Sequence, residues 1–173
     1  MSEGLDELVG ERDIESPAAM EALGEQMGRM LHAGDLVVLT GPLGAGKTTL
    51  TRGIAAGLGV RGPVQSPTFV IARTHPSLVE GPPLVHVDAY RLGSALELDD
   101  LDIDLDNSVV VVEWGRGMVA GLRDHWWEVE LERPTGGRGA DTMCGDISAH
   151  TLALDDDAPR TVSISRVSIS RAS

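Results

Sequence analysis

The only lysine of the chain, Lys47, lies in a glycine-rich segment, residues 41–48, although the chain has thirteen arginines. The segment reads GPLGAGKT, the P-loop pattern of glycine, four residues, glycine, lysine and serine or threonine. Glycines let backbone N–H groups turn inward around phosphate oxygens, and a helix after the loop adds its N-terminal dipole. A lysine is a compact charge on a flexible stem, unlike the planar arginine fork. The segment therefore predicts a phosphate-binding site.

The P-loop pattern also predicts which residues contact the ligand. They are the loop and the residues just after it: Gly41, Leu43, Gly44, Ala45, Gly46, Lys47, Thr48 and Thr49. The Thr48 hydroxyl is a candidate ligand of Mg²⁺, which keeps several waters and takes few protein ligands. The apolar run 35–40 predicts a buried strand before the loop, and Leu50, Ile54 and Leu58 predict a helix after it that ends at Gly59.

Two acids stand at the ends of strand-like runs, Asp88 in HVDAYR and Glu113 in VVVVEW. Hydrolysis at a P-loop needs a carboxylate near Mg²⁺ and a group that orients the attacking water. Ligands bind at the carboxyl ends of strands in an open α/β sheet, so both acids could face the loop. By spacing alone, either acid could instead cap a strand end. His86 and Asp88 could share a metal, but a lone His-x-Asp pair is weak support, and a packed histidine is preferred.

Length and cysteine content restrict the class of protein. A chain of 173 residues suits one domain with its own hydrophobic core. The single cysteine, Cys144, cannot form an internal disulfide, which favours a reducing compartment, and a small core residue is its preferred interpretation. No segment approaches the ~20 apolar residues of a membrane span, and the acidic N-terminus does not resemble a signal peptide. We therefore expect a soluble, cytoplasmic protein with no disulfide and no membrane contact.

The net charge is −13, and it argues against direct binding to nucleic acid. Proteins that bind nucleic acid draw much of their affinity from lysine and arginine contacts to phosphates. Three Asp and three Arg cancel in residues 155–173, so the whole negative charge belongs to residues 1–154. We expect that another protein holds any RNA that is involved.

The sequence pattern divides the chain into three segments. Residues 1–15 are expected to be a flexible acidic leader, and residues 155–173, which lack a core pattern, a disordered tail. Residues 16–154 are expected to form the P-loop domain. Its first helix should begin with Ser16 as N-cap and Pro17 as first helical residue. The apolar face of that helix comprises Met20, Leu23, Met27, Met30 and Leu31.

Strand-like runs predict a mixed sheet. The runs 69–73 (FVIAR) and 84–88 (LVHVD) are joined by a loop without a helical pattern, so we expect them to pair antiparallel. The run 108–114 (SVVVVEW) is the most uniformly apolar and should lie at the buried centre of a parallel sheet. The run 126–132 (WWEVELE) alternates and should lie nearer an edge.

An acidic segment, residues 97–106, follows the start of a predicted short helix. Ser94 and Glu97 have capping-box spacing at that start. The acids then alternate with leucine and isoleucine, which is typical of a solvated face. A docking surface for a partner is the alternative.

Four segments, taken in chain order, resemble the TsaE (YjeE) family of small bacterial P-loop ATPases. They are GPLGAGKTTLTRGIAAGLG, SPTF, HVDAYRL, and LELDDLDIDLD leading into VVVVEWG, and the resemblance spans residues 19–133. It implies ATP and Mg²⁺ as cofactors and an α/β, P-loop NTPase-like fold, with a mixed, mostly parallel sheet flanked by few helices. It also implies a role with the proteins TsaB, TsaC and TsaD in adding a threonylcarbamoyl group to the adenosine beside the anticodon of tRNAs.

The resemblance implies roles for the chemical residues already identified. Lys47 and Thr48 would hold phosphate and Mg²⁺, Glu113 would take the Walker-B place as a metal ligand, and Asp88 would be the further essential acid. Lys47, Asp88 and Glu113 are thus the candidate catalytic residues.

The resemblance also implies two further residues at the nucleotide. Thr68 would lie in a switch-like loop, and Trp114 would lie next to the nucleotide site. Pro42 stands where many family members carry Asp, so an acid has no role there in this chain. The TsaB–TsaD pair would carry the tRNA and stimulate slow ATP hydrolysis, with residues 97–106 as the candidate docking segment.

Three other functions share a P-loop. A small-molecule or nucleoside kinase usually adds an arginine-bearing lid, and Arg116, Arg123 and Arg138 are too dispersed for a convincing one. A GTPase would need an Asn-Lys-x-Asp motif, but the only lysine is already in the P-loop. A partner-binding module with a structural nucleotide would not need both Asp88 and Glu113.

Overall fold

Short runs of valine and leucine form the central strands of a seven-stranded sheet in the part of the chain that the structure describes. The computed structural model describes residues 3–65, 71–133 and 158–170. The strands in those ranges are β1 (Gly10–Ile14), β2 (Leu36–Thr40), β3 (Ala72–His75), β4 (Leu84–Asp88), β5 (Val109–Glu113), β6 (His125–Glu132) and β7 (Arg160–Ser168). The α-helices there are α1 (Pro17–Met30), α2 (Lys47–Leu58) and α3 (Ala95–Asp99), and 3-10 turns lie at Glu3–Leu8, Ala89–Arg91 and Val119–Gly121.

The sheet has a parallel centre and antiparallel flanks. The strand order is β1-β7-β6-β2-β5-β4-β3. β2 pairs in parallel with β5 and β6, and β5 pairs in parallel with β4. β3, β7 and β1 join antiparallel, and all five residues of β5 are buried, as predicted for the centre. These pairings confirm the predicted α/β fold, with a mixed sheet that is parallel at its centre and carries few helices.

The positions of two strands differ from the prediction. β3 pairs antiparallel with β4 as predicted, but it begins at Ala72 and ends at His75, later than the run 69–73. β6 does not lie near an edge, because β7 and β1 continue the sheet beyond it. Its alternation places Trp127, Val129 and Leu131 in the core on one face of the sheet, whereas Glu128 and Glu130 on the other face bond Arg116.

The predicted disorder of the tail is wrong for residues 160–168, which form β7 between β1 and β6. Val162 and Ile164 are 0% and 1% exposed, whereas Ser165 faces solvent. This period of two places a pair of apolar side chains in the core. The pattern is short, and the surrounding serine and arginine near-repeat hides it.

The predicted flexible leader is also wrong, because Glu3–Leu8 forms a 3-10 turn and β1 pairs with β7 along its whole length. Leu5 and Leu8 are 0% and 4% exposed and join the core with Ile14. The acids of this segment obscured these few core positions in the sequence. Both ends of the chain therefore complete the sheet that carries the P-loop.

Helices α1 and α2 touch backbone to backbone. The contact is made by Gly24, Gly28, Gly53 and Gly57. A Cβ on Gly53 would lie 2.1 Å from the carbonyl oxygen of Glu21, and one on Gly28 would lie 2.2 Å from that of Ile54. No side chain fits such a gap, so glycine is required there. The contact fixes α2, which follows the P-loop directly, against α1.

The acidic segment 97–106 presents its acids to solvent, while its apolar residues pack inward. Leu101, Ile103 and Leu105 pack against the core on the face of the sheet opposite α1 and α2. Asp106 pairs with Arg123 at 2.6 Å. This arrangement agrees with a solvated face, and the docking role stays a prediction.

Candidate nucleotide-binding site

The P-loop begins after β2 and ends where α2 starts at Lys47. Gly44 and Gly46 have φ angles of 74° and 106°, which glycine adopts without strain. Gly41 lies buried beneath the loop, where a Cβ would be 2.5 Å from the carbonyl oxygen of Leu131. Gly46 is the N-cap of α2 and has no side chain to cap the N–H groups of the first turn. Those N–H groups and the helix dipole form a cradle suited to phosphate oxygens.

Lys47 is folded back onto its own loop. Its side chain is buried, and its Nζ donates hydrogen bonds to the carbonyl oxygens of Gly41 at 2.7 Å and Pro42 at 3.0 Å. Burial lowers the pKa of Lys47, while the negative charges of Glu113 and Asp88 oppose that shift. A phosphate that enters the loop would replace the two carbonyl oxygens as the acceptor for this ammonium group.

The two candidate acids lie side by side at the ends of adjacent parallel strands. Asp88 on β4 is in register with Glu113 on β5, and β5 lies beside β2, which leads into the P-loop. Asp88 is half-buried and accepts a hydrogen bond from the backbone N–H of Tyr90 at 3.0 Å. Glu113 is buried, and its Oε1 lies 3.0 Å from Nε2 of His86. Both acids face the loop, and Asp88 also caps the turn that follows β4, so for Asp88 both sequence interpretations hold.

His86 is a packed histidine rather than a metal partner of Asp88. Its side chain is completely buried, and its hydrogen bond goes to Glu113 on the neighbouring strand. The other ring nitrogen, Nδ1, has no hydrogen-bond partner within the part of the chain that the structure describes.

Trp114 turns the chain sharply after β5. Its φ of 63° is unusual for a residue other than glycine, and such strain is common at functional sites. The turn places its ring centroid 4.2 Å from Nζ of Lys47, a cation–π contact, and 5.3 Å from the ring of Tyr90. Trp114 therefore covers the P-loop lysine from the side of the acids.

These groups line one open cleft of about 890 Å³, a size suited to a small-molecule ligand. The predicted residues that line it are Leu43, Gly44, Ala45, Gly46, Lys47, Thr48, Thr49, Asp88, Glu113 and Trp114. Gly41 supports the loop from below, and Thr68 lies outside the described residues. The fold thus brings three distant stretches of sequence to one place.

Further lining residues were missed from the sequence: Ser16, Pro17, Met20, Arg52, Tyr90, Arg91, Ala158 and Arg160. Tyr90 and Arg91 belong to HVDAYR and form the turn directly after Asp88, so that segment could have indicated them. Arg160 begins β7 and is buried, and no local signal marks it because long-range strand pairing brings it to the cleft.

The family model described as "Threonylcarbamoyl adenosine biosynthesis protein TsaE" matches residues 14–140. The chain belongs to the TsaE family. The tRNA threonylcarbamoyladenosine biosynthesis protein TsaE of Streptomyces coelicolor is 60% identical over 120 residues, 68% of this chain and 81% of that protein. The protein of the same name from Mycobacterium tuberculosis H37Rv is 54% identical over 120 residues, 64% of this chain and 71% of that protein.

A solved structure has a similar fold. The crystal structure of Bacillus subtilis YdiB superposes with a TM-score of 0.62 at 27% identity, covering 91% of this chain and 84% of that one. TsaE membership makes the chain a component of threonylcarbamoyladenosine biosynthesis in tRNA, as predicted. None of the helices in the described residues has the length and hydrophobicity to span a membrane.

The lining of the cleft in this TsaE-family chain includes oxygen atoms of the kind that bind Mg²⁺. Among the described residues, no group of three or more His, Cys, Asp or Glu side chains is arranged to hold a metal by itself. Mg²⁺ does not need such a cage, because in nucleotide sites it takes one or two protein ligands and completes its shell with phosphates and water. Thr48 and Glu113, which line the same cleft, are suitable oxygen donors.

Proposed function

We propose that this TsaE-family chain binds ATP with Mg²⁺ and hydrolyses it in the cytoplasm for tRNA modification, together with TsaB and TsaD. One observation supports the proposal most strongly. Lys47, Asp88 and Glu113, far apart in sequence, line one cleft beside the P-loop. Carboxylates repel phosphate, so two acids beside a phosphate cradle favour metal-assisted turnover over simple phosphate binding.

Each residue has a distinct role in the proposed hydrolysis. The N–H groups of the loop and the ammonium group of Lys47 hold the phosphates and stabilise the charge that develops on them. Thr48 and Glu113 hold Mg²⁺, which neutralises phosphate charge when bound. Asp88 is more accessible than Glu113 and orients the attacking water. The water oxygen bonds to the γ-phosphorus while the bond between that phosphorus and the ADP oxygen breaks, the proton of the water passes to the phosphate product, and ADP and phosphate leave.

The charge of the chain supports an indirect relation to tRNA. A protein with a net charge of −13 should be repelled by a phosphate backbone at physiological salt. We therefore assign tRNA binding to TsaB and TsaD and propose that this chain docks on them, with the acidic segment 97–106 as the candidate contact. Docking would complete the surroundings of Asp88 and Glu113, so hydrolysis by the isolated chain should be slow.

A kinase would use the same cleft. Of the three arginines considered for a kinase lid, Arg116 and Arg123 do not line that cleft. Arg116 is held by two glutamates, and bonding to Glu130 at 2.8 Å and to Glu128 raises the pKa of its guanidinium. Arg123 is bonded to Asp106. Arg138 lies outside the described residues. Hydrolysis therefore remains the proposed reaction.

Release of labelled γ-phosphate tests the proposal. The parent chain with TsaB and TsaD should transfer the label to water, whether or not a nucleoside or other acceptor is added. Lys47→Ala should abolish release, while Arg29→Ala, a surface change outside the cleft, should not. Label found in an acceptor would indicate a kinase, and ATP binding without release would indicate a binding module. Mass spectrometry of tRNA from depleted cells should reveal loss of threonylcarbamoyladenosine.

A further inference from the structure

Two buried histidines lie in the same half of the sheet, and they have different contacts. His86 on β4 is 0% exposed, and its Nε2 lies 3.0 Å from Oε1 of Glu113. His75 on β3 is 5% exposed, and its Nδ1 lies 3.0 Å from the carbonyl oxygen of Arg61. Neither histidine has a role in the hydrolysis described above.

Strand register explains why His86 meets Glu113. β4 and β5 run parallel, with Asp88 opposite Glu113 and His86 opposite Val111. Residues two apart in a strand point to the same face, so His86, Asp88 and Glu113 share one face of the sheet. Asp88 is half-buried at the cleft, whereas His86 is enclosed. The imidazole therefore lies behind the carboxylate of Glu113, on the side of the protein interior.

The hydrogen bond restricts what Glu113 can do. A carboxylate can only accept hydrogen bonds, so Glu113 can bind a cation in this arrangement only if Nε2 of His86 carries the hydrogen. That bond occupies Oε1 and leaves Oε2 to bind a cation in the cleft. A buried carboxylate held through one oxygen has few orientations left, which lowers the entropy lost when it binds a cation.

We propose that His86 is a positioning residue: it holds Glu113 through Oε1 so that Oε2 faces the cation of a bound magnesium nucleotide. This inference rests on the proposed function of the cleft. Hydrogen bonds to a ligating carboxylate tune metal sites in general, and losing such a partner costs about 10- to 100-fold in metal affinity or activity. His86 thus acts through Glu113 and does not contact the nucleotide.

Three variants separate positioning from packing. His86→Leu removes the donor while filling similar space, and His86→Gln keeps an N–H donor near the place of Nε2. His75→Leu is the matched control, because His75 is also buried in the sheet but bonds a backbone carbonyl away from the acids. ADP binding is measured by calorimetry at graded Mg²⁺ concentrations, which needs no turnover. Thermal unfolding confirms that each variant is folded.

We expect His86→Leu to raise the Mg²⁺ concentration needed for tight ADP binding by about 10- to 100-fold. His86→Gln should recover most of this loss, and His75→Leu should match the parent. ADP binding without Mg²⁺ should be equal in all variants. In a Glu113→Gln background, His86→Leu should have no further effect, because the two residues act as one unit.

A folded His86→Leu variant with the parental Mg²⁺ dependence would overturn the inference, as would an equal loss of ADP binding without Mg²⁺. If that variant does not fold, ¹⁵N NMR of the parent decides: His86 should carry its hydrogen on Nε2, and a hydrogen on Nδ1 alone would overturn the inference. If ADP binding by the parent does not respond to Mg²⁺, the proposed function fails first, and the inference fails with it.

Discussion

The cleft has two walls that the sequence encodes in different ways. The motif wall comprises residues 43–49, Arg52, Asp88, Tyr90, Arg91, Glu113 and Trp114, which belong to the P-loop with its helix and to the ends of two strands. The terminal wall comprises Ser16, Pro17, Met20, Ala158 and Arg160, which come from the start of α1 and the start of β7. The motif wall holds the groups that can perform phosphate chemistry. The terminal wall adds surface and one cation, so we expect it to affect affinity more than turnover.

The largest effect is expected from Lys47→Ala in the motif wall. The change removes an ammonium group that bonds phosphate, and one such preorganised donor contributes about 3 kcal/mol, roughly a hundredfold in turnover. Affinity should fall as well, so kcat/KM should fall further than kcat. Steady-state kinetics with TsaB and TsaD check this, and an unchanged rate would rule out the role of the loop.

At saturating Mg²⁺, Glu113→Gln and Asp88→Asn should lower kcat by about a hundredfold each and should weaken nucleotide binding less than they slow turnover. Both acids act on metal and water, so at saturating Mg²⁺ their loss should affect turnover more than the binding of ATP. Each variant should keep its fold, because the substitutions preserve shape. Steady-state kinetics measure the loss of kcat, and circular dichroism checks that the fold is unchanged. A variant with the parental rate would show that its acid only caps the end of a strand.

In the terminal wall, Arg160→Ala should weaken ADP affinity by about tenfold and spare kcat. A hydrogen bond to a charged group contributes about 1.5–3 kcal/mol, and solvent replaces part of that loss. Arg166→Ala is the matched control, because Arg166 lies on the same strand, pairs with Asp6 and does not line the cleft. Calorimetry of ADP binding compares the two. Equal ADP affinities of the two variants would show that Arg160 does not contact the bound ADP.

The smallest effect is a spectroscopic one at Trp114, whose ring contacts Lys47. Mg·ADP should change tryptophan emission, because the lysine must leave the ring to reach phosphate. Trp126 and Trp127 contribute to the signal but are buried outside the cleft lining. Trp114→Phe should therefore abolish the change, and a response that survives in this variant would contradict the assignment.

The difference between the walls also explains what sequence could predict. The loop must have glycines and a lysine at fixed spacing, and Asp88 and Glu113 stand at the ends of apolar runs that predict buried strands. Their neighbourhood was therefore predictable. Arg160 reaches the cleft only because β7 pairs with β1 and β6. Two apolar residues, Val162 and Ile164, are too short a pattern to predict that strand. The bond between His86 and Glu113 depends on register between strands, which spacing within one strand does not reveal.

The central claim is that the motif wall hydrolyses ATP and that the TsaB–TsaD pair, rather than this chain, holds the tRNA. The most direct test measures initial rates of ATP hydrolysis by the isolated chain and by the chain with TsaB and TsaD, alongside tRNA binding to the isolated chain at physiological salt. We predict slow hydrolysis alone, a clear increase with both partners that Lys47→Ala abolishes, and no measurable tRNA binding. Full activity of the isolated chain, or tight tRNA binding by it, would contradict the account.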